Sequence, residues 1–403
     1  MKPASPFPTR LQNRFGMQVT DGDYWPRAGA LEAAENLLRG NSISLFGLRR
    51  IGKSSYMAAV RSHVGANSGA CVVDVDAQRC DGLHALFNAV LTNLPDQTAR
   101  DRVLSAFHSN LPVAETIVRK ARSLLSGKAE PFTQRDEGDL IAYWEHLAAP
   151  IAERLAATGR PFTLFVDELP MLCEKMVKRP HGVENVNTLL AGLRAWRAMP
   201  RVGMFVTGSV GLRGLAKQYG ISANHLNDTI VLTLPPLDAT EVPAMLRALV
   251  AGAGAEPWNA DVEQAVLVRL ASAYPGVIQY AFSQLRGARV TTADDVERVF
   301  RNQIRPGIER NFFLQFRERM NRYDKALRRL LDQALRLVAA APANAGIAEA
   351  VFYKAFKPAA EAEDAIEILC EEGFLHFDTE TRVIGFADGL AVAWWKGRPN
   401  GHA

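Results

Sequence analysis

The sequence predicts an α/β fold built on a parallel five-stranded sheet, followed by an all-helical bundle and a small helix-and-hairpin domain. Three observations carry this reading. Five short, nearly all-apolar runs alternate with helical stretches in the first 236 residues, the pattern of parallel strands buried on both faces. From Asp238 on no strand signal appears until about Leu375, and residues 238–320 keep a helical period. The last part carries three helical segments and FLHFDTETRVIGF, which alternates around a polar turn as a β-hairpin does.

The expected organisation is an N-terminal arm over 1–20, an α/β core over 21–236, a helical lid over 237–320 and a winged helix-turn-helix layout over 321–403. A chain of 403 residues is long for one domain and easily buries a large core. Its 48% apolar and 22% charged residues are those of an ordinary soluble protein. No apolar run approaches the roughly 18 residues that span a bilayer, and the opening MKPASPFPTRLQNRF has no apolar leader segment. A cytosolic location without a membrane partner is therefore expected. Cys71, Cys80, Cys173 and Cys370 stand far apart, and the histidines are scattered, so buried reduced thiols are expected rather than a metal site or disulfides.

Taken in order, the prolines of the first 20 residues predict an extended or partly ordered arm. An amphipathic helix ends at Gly40, and the first strand is Ser42 to Phe46. The second strand is Ala70 to Val75. A mostly helical stretch runs from Gly82 to Gly159, with an exposed loop over Gly127 to Glu137 and a clean helical period over Leu140 to Ala157. Phe162 to Val166 is the third strand, followed by a helix over Asn185 to Met199 and the fourth strand, Val202 to Val206. One more helix, through Lys217, precedes the fifth strand, Thr229 to Leu234. Pro235 and Pro236 end it, because proline cannot continue the ladder. The bundle is broken by a turn at Tyr274, Pro275 and Gly276. The final helices are a long one after Tyr323, then Ala348 to Phe356 and Glu363 to Glu372.

The motif that organises the chain is NSISLFGLRRIGKSSYM, residues 41–57. Gly47, Gly52, Lys53 and Ser54 satisfy GxxxxGK[ST], set between a strand and a helix. Two glycines let the backbone wrap a phosphate, with successive N–H groups and the helix N-terminus aimed at the anion. Lys53 reaches phosphate oxygens, and the Ser54 hydroxyl suits Mg²⁺. A second motif, PFTLFVDELP, delivers Asp167 at a strand end to hold Mg²⁺ through water, with Glu168 beside it to polarise the attacking water. Thr207 and Ser209, closing the fourth strand, stand where a hydroxyl senses the γ-phosphate or caps the next helix. Arg49 and Arg50 face either phosphate or solvent. Tyr24 and Trp25 either cover a nucleotide base or anchor the helix that follows. The segment KQYGISANHLNDT before the fifth strand has no arginine, which weakens a ring-motor reading that needs a finger there. Arg194, Arg197, Arg201 and Arg213 remain as candidates.

The segments GLRRIGKSS, LFVDELP, FVTGSVGL, LTLPPLDATEV and PGVIQ resemble the archaeal-type ATPase family, a STAND-related branch of the AAA+ P-loop NTPases also found in bacteria. The resemblance covers roughly residues 21–395. It implies an ASCE/AAA+-like P-loop NTPase whose phosphate loop is Gly47, Arg50, Gly52, Lys53, Ser54 and Ser55. It further implies that Asp167 and Glu168 act on Mg²⁺ and water, that Ser209 or Thr207 is the sensor, and that the bundle with Pro275 closes over the nucleotide. Ala273 and Pro26 stand where the family often has glycine.

A winged helix raises the question of DNA, and charge answers it. The helix that would enter the groove carries Glu361, Glu363, Asp364, Glu367, Glu371 and Glu372 with no Lys or Arg, so phosphate repels it. Basic charge lies instead on a stripe that includes Arg305, Arg317, Arg319, Arg322, Lys325 and Arg329. That stripe either binds nucleic acid or docks on an acidic surface such as that helix. A net charge of +4 does not favour nucleic acid by itself. The expectation is an ATP- and Mg²⁺-dependent slow ATPase whose ATP and ADP states switch the molecule and regulate a protein partner, with oligomerisation left open. A DNA-associated ATPase is the alternative, and a scaffold that keeps nucleotide without hydrolysing it is the third reading.

Overall fold

The computed structural model describes residues 7–19, 21–66, 69–108, 115–128, 130–270, 273–342 and 346–396. Residues 1–6 and 20 of the expected arm and 397–403 of the expected last domain lie outside the described residues. The chain divides into two units: Gly29–Phe46 with Tyr56–Leu232, and Met1–Ala28 with Gly47–Ser55 and Thr233–Ala403.

The first unit holds the sheet. Its strands are β1 (Ser42–Phe46), β2 (Cys71–Asp76), β3 (Phe162–Asp167), β4 (Val202–Gly208) and β5 (Thr229–Leu232), all parallel, in the order β2-β3-β4-β1-β5. Each expected strand is present, with its ends within two residues of the expectation. β1 and β4 are buried at every position, as strands covered on both faces must be. β5 is an edge strand and leaves Ile230 and Val231 exposed.

Around the sheet stand α1 (Ala30–Leu38), α2 (Lys53–Ala66), α3 (Leu83–Thr92), α4 (Gln97–His108), α5 (Glu115–Leu125), α6 (Glu137–Ala156), α7 (Leu169–Val177), α8 (Gly182–Arg197) and α9 (Leu212–Tyr219). The first three residues of α2 group with the second unit. Trp144 of α6 ties that helix to α8: its indole N–H donates to the Leu189 carbonyl at 3.2 Å, and its ring lies 6.2 Å from Trp196. α7 occupies a stretch before Asn185 to which the sequence assigns no element, and it buries Leu169, Leu172, Cys173 and Met176. The loop expected to be exposed before Glu137 is pinned at Phe132, which is buried 5.5 Å from the Phe87 ring. The Asn88 amide pairs with the Phe132 backbone on both sides.

The second unit begins with a helical bundle: α10 (Glu241–Gly252), α11 (Ala260–Arg269), α12 (Pro275–Gly287), α13 (Ala293–Val299), α14 (Arg305–Ile308) and α15 (Leu314–Met320). The turn at Tyr274 is where α12 starts, with Pro275 in the first turn, where its missing N–H costs nothing. Two π-helical turns, Phe300–Ile304 and Glu309–Phe313, flank α14 and make Ala293 to Met320 one continuous helical run. Pro306, which cannot donate to a regular ladder, sits between them. Within the arm, Leu11 is buried, and its N–H donates to the Ala248 carbonyl of α10 at 2.9 Å.

The chain ends in α16 (Lys325–Ala340), β6 (Ile347–Ala348), α17 (Glu349–Lys354), α18 (Ala359–Glu371), β7 (Leu375–Asp378), β8 (Val383–Phe386) and α19 (Gly389–Lys396). The three helices and the hairpin are as expected. The expectation of no strand between Asp238 and Leu375 fails at β6, whose two residues are too few to show alternation. It pairs with β8 in a three-stranded antiparallel sheet, β6-β8-β7. One member of the arginine stripe is intramolecular: Arg319 is buried and pairs with Glu372 at the end of α18, and the Tyr323 hydroxyl donates to the same carboxylate at 3.1 Å.

Candidate functional site

The loop after β1 is built from alternating anchors and turns. Leu48 and Ile51 are buried and fix it, while Gly47 (φ 136°) and Gly52 (φ 106°) adopt backbone angles that a side chain resists. A Cβ placed on Gly52 would meet no atom within 4 Å, so the space over that turn is open. Lys53 opens α2 and is buried, its ammonium donating to the carbonyls of Gly47 at 2.8 Å and Leu48 at 2.7 Å. The arm reaches the next two residues. Gln18 donates to the Ser54 carbonyl at 3.2 Å, and the Ser55 hydroxyl accepts from the Val19 N–H at 2.9 Å.

Arg50 also has a left-handed backbone (φ 68°), but its side chain leaves the loop. It donates to the backbone and side-chain oxygens of Asn311 at 3.0 and 2.7 Å and lies over the Phe15 ring, 5.3 Å from its centre. Two glycines allow close approach to the loop backbone. A Cβ on Gly276 would lie 2.4 Å from the Arg50 carbonyl oxygen, and one on Gly373 would lie 3.2 Å from the Gly47 Cα. Gly373, Asn311 and Phe15 carry no motif of their own and touch the loop through tertiary packing, whereas Gly276 belongs to the PGVIQ segment that the family resemblance singles out.

The acidic residues lie at the carboxyl edge of the sheet. β3 ends at Asp167, and Glu168 follows in a left-handed conformation (φ 60°) that costs a non-glycine residue about 1 kcal/mol or more. Both carboxylates are held by the end of β4. The Thr207 hydroxyl donates to Asp167, and the Ser209 N–H and hydroxyl each donate to one Glu168 oxygen at 2.9 Å. Thr207 and Ser209 are buried, so water does not compete for these bonds. The register is the reason for the pairing: Leu45 stands beside Thr207, Phe46 beside Gly208, and Val166 beside Val206. The strand that leads into the glycine loop and the strand that carries the acids therefore end at one edge, with β4 between them.

Other expected residues find different places. Trp25 is a core anchor, stacked on Phe7 at 4.6 Å. Arg197 is no finger, since its buried guanidinium is committed to Asp228, with bonds of 3.1 and 2.8 Å, and to the His225 carbonyl. Burial pushes the thiols of Cys71 and Cys173 up to about 12, so they carry no nucleophilic role near neutral pH. Among the described residues, no group of three or more His, Cys, Asp or Glu could hold a metal ion. Ser54 and Asp167 offer hard oxygen donors of the kind Mg²⁺ takes beside phosphate, and a buried lysine at a glycine loop is the donor set a polyphosphate requires. The residues present fit both groups.

A five-stranded parallel sheet with this loop and an acidic strand end defines an α/β P-loop fold. No family model and no curated protein matches the sequence. Among solved structures, the Walker-type ATPase of Pyrococcus abyssi is similar over 96% of this chain and 98% of its own, at 16% identity and a TM-score of 0.52. Two structures of the ORC2 protein of Aeropyrum pernix also match. One has 15% identity over 91% of this chain and 92% of its own, with a TM-score of 0.45. The other has 14% over 93% and 95%, with a TM-score of 0.44. At such identities the likeness to the Pyrococcus protein concerns the α/β P-loop fold alone. Among the described residues, no helix is long and apolar enough to cross a membrane.

Proposed function

We propose that this chain binds ATP with Mg²⁺, hydrolyses it slowly, and uses the nucleotide state to switch the bundle and the C-terminal domain and so regulate a protein partner. The observation that carries the reading is the shared edge: β1 hands the chain to the glycine loop at the level where β3 and β4 present Asp167, Glu168, Thr207 and Ser209. In this reading the backbone of Gly47 to Ser55 cradles the phosphates, and Lys53 neutralises their outer oxygens. Ser54 and Asp167 hold Mg²⁺, which when bound neutralises charge on the phosphate oxygens. Glu168 takes a proton from the attacking water, and Thr207 and Ser209 set the two carboxylates and sense the γ-phosphate. The domain boundaries that go with it are 21–236 for the ATPase core, 237–320 for the lid and 321–403 for a winged helix, in the STAND-related AAA+ manner. Its location is the cytosol.

Lys53→Ala should lose binding of a fluorescent ATP analogue, and wild-type affinity in that variant would remove the site. Glu168→Gln should keep binding while phosphate release falls by about 10²–10⁴-fold. A second reading, nucleic-acid association, rests on the exposed Arg317, Arg322 and Arg329 of the stripe. Salt-dependent DNA retention lost on reversing those three charges would establish it, and α18, with its acidic residues, argues against groove reading.

A further inference from the structure

The family resemblance counts Arg50 in the phosphate loop, yet its guanidinium is held by the helical run Ala293 to Met320. Its Nη1 donates to both oxygens of Asn311, at 3.0 and 2.7 Å, and its plane rests over Phe15. Asn311 is itself fixed, since its amide donates to the Gly307 carbonyl at 2.8 Å. It lies in the second π turn, Glu309–Phe313, where the widened ladder leaves carbonyls available to an outside donor. Phe15 is packed against the same run, 6.2 Å from the Phe312 ring and 5.1 Å from Tyr280 of α12. On its other side the Arg50 carbonyl meets Gly276, where any side chain would collide. Backbone and side chain of one loop residue are thus gripped by two different helices.

We propose that Arg50 is a positioning residue and not a phosphate ligand: it clips the glycine loop to the π-turned helix at Asn311, so that loop geometry and helix order are linked. A left-handed, non-glycine residue in the middle of the loop keeps its conformation because its side chain is anchored. Linkage is reciprocal, so whatever the loop binds must order residues 300–313, and loosening those residues must weaken binding at the loop. The nucleotide part rests on the function proposed above, whereas the clip is a property of the protein by itself.

The test uses the full chain as wild type, Arg50→Ala, Asn311→Ala and the double variant. Mg²⁺ with a fluorescent ADP analogue is the first probe, and amide exchange of residues 300–313 without nucleotide is the second. Arg50→Ala should weaken ADP binding three- to tenfold, Asn311→Ala by part of that, and the double variant by no more than Arg50→Ala. Exchange over 300–313 should quicken in both single variants. The proposal is overturned if Asn311→Ala matches wild type in both measurements, or if the two effects multiply in the double variant; strong loss in Arg50→Ala with none in Asn311→Ala would make Arg50 a phosphate ligand. If no variant, wild type included, binds ADP, the nucleotide reading fails separately, and the exchange measurement still decides the clip.

Discussion

Single side chains at the candidate site are held by partners a sequence does not name. Thr207 and Ser209 stand two residues apart on β4, and each takes one of two adjacent acids on β3. Ser209→Ala keeps the backbone donor to Glu168 but removes the hydroxyl. We expect an order-of-magnitude fall in phosphate release at unchanged ATP affinity, restored by Ser209→Thr, in single-turnover measurements. Asp228 provides a pH signature. Burial acts to raise its carboxyl, but the hydrogen bonds and charge of Arg197 outweigh that and hold it below 3.8. A depressed carboxyl stabilises the fold fully above its unfolded value and loses that contribution as the pH falls toward the folded one. Urea midpoints should therefore drop more steeply below about pH 4 in wild type than in Asp228→Asn.

Between elements, a buried ion pair ties α15 to the end of α18. Arg319 and Glu372 are 8% and 2% exposed at their side chains and pair at 2.5 Å, with Tyr323 on the second carboxylate oxygen. Arg319→Ala strands a buried carboxylate and should cost about 3–5 kcal/mol in chemical denaturation. The Arg319→Met, Glu372→Leu double variant should recover most of that loss, since an apolar pair of similar volume removes both charges. The sequence placed an acidic helix and a basic stripe in one chain and left open whether they meet. They meet at this pair, a contact about fifty residues apart in sequence that no local pattern encodes.

At the scale of the whole molecule, the chain passes back and forth between its two units, and the glycine loop groups with the arm and the residues after Thr233. Two units with separate cores should not melt as one. Calorimetry is expected to show a calorimetric enthalpy above the van't Hoff value, with one transition raised selectively by ATP and Mg²⁺. At a hundredfold excess over its dissociation constant, a ligand of the native state adds about 2.7 kcal/mol. No shift of either transition at millimolar ATP would count against nucleotide binding altogether.

The sequence by itself determined the five strands, the glycine loop, the acidic strand end and the hairpin. Each is a local pattern: apolar runs of strand length, two glycines and a lysine at fixed spacing, alternation around a polar turn. It left out β6, α7 and α19, the first too short to show alternation. Tertiary structure decided which hydroxyl meets which acid, because that depends on β4 lying between β1 and β3, a property of strand order and not of spacing. It also decided the direction of Arg50. A side chain in a loop has no periodicity to follow, and its partner, Asn311, comes from a π turn 261 residues further on.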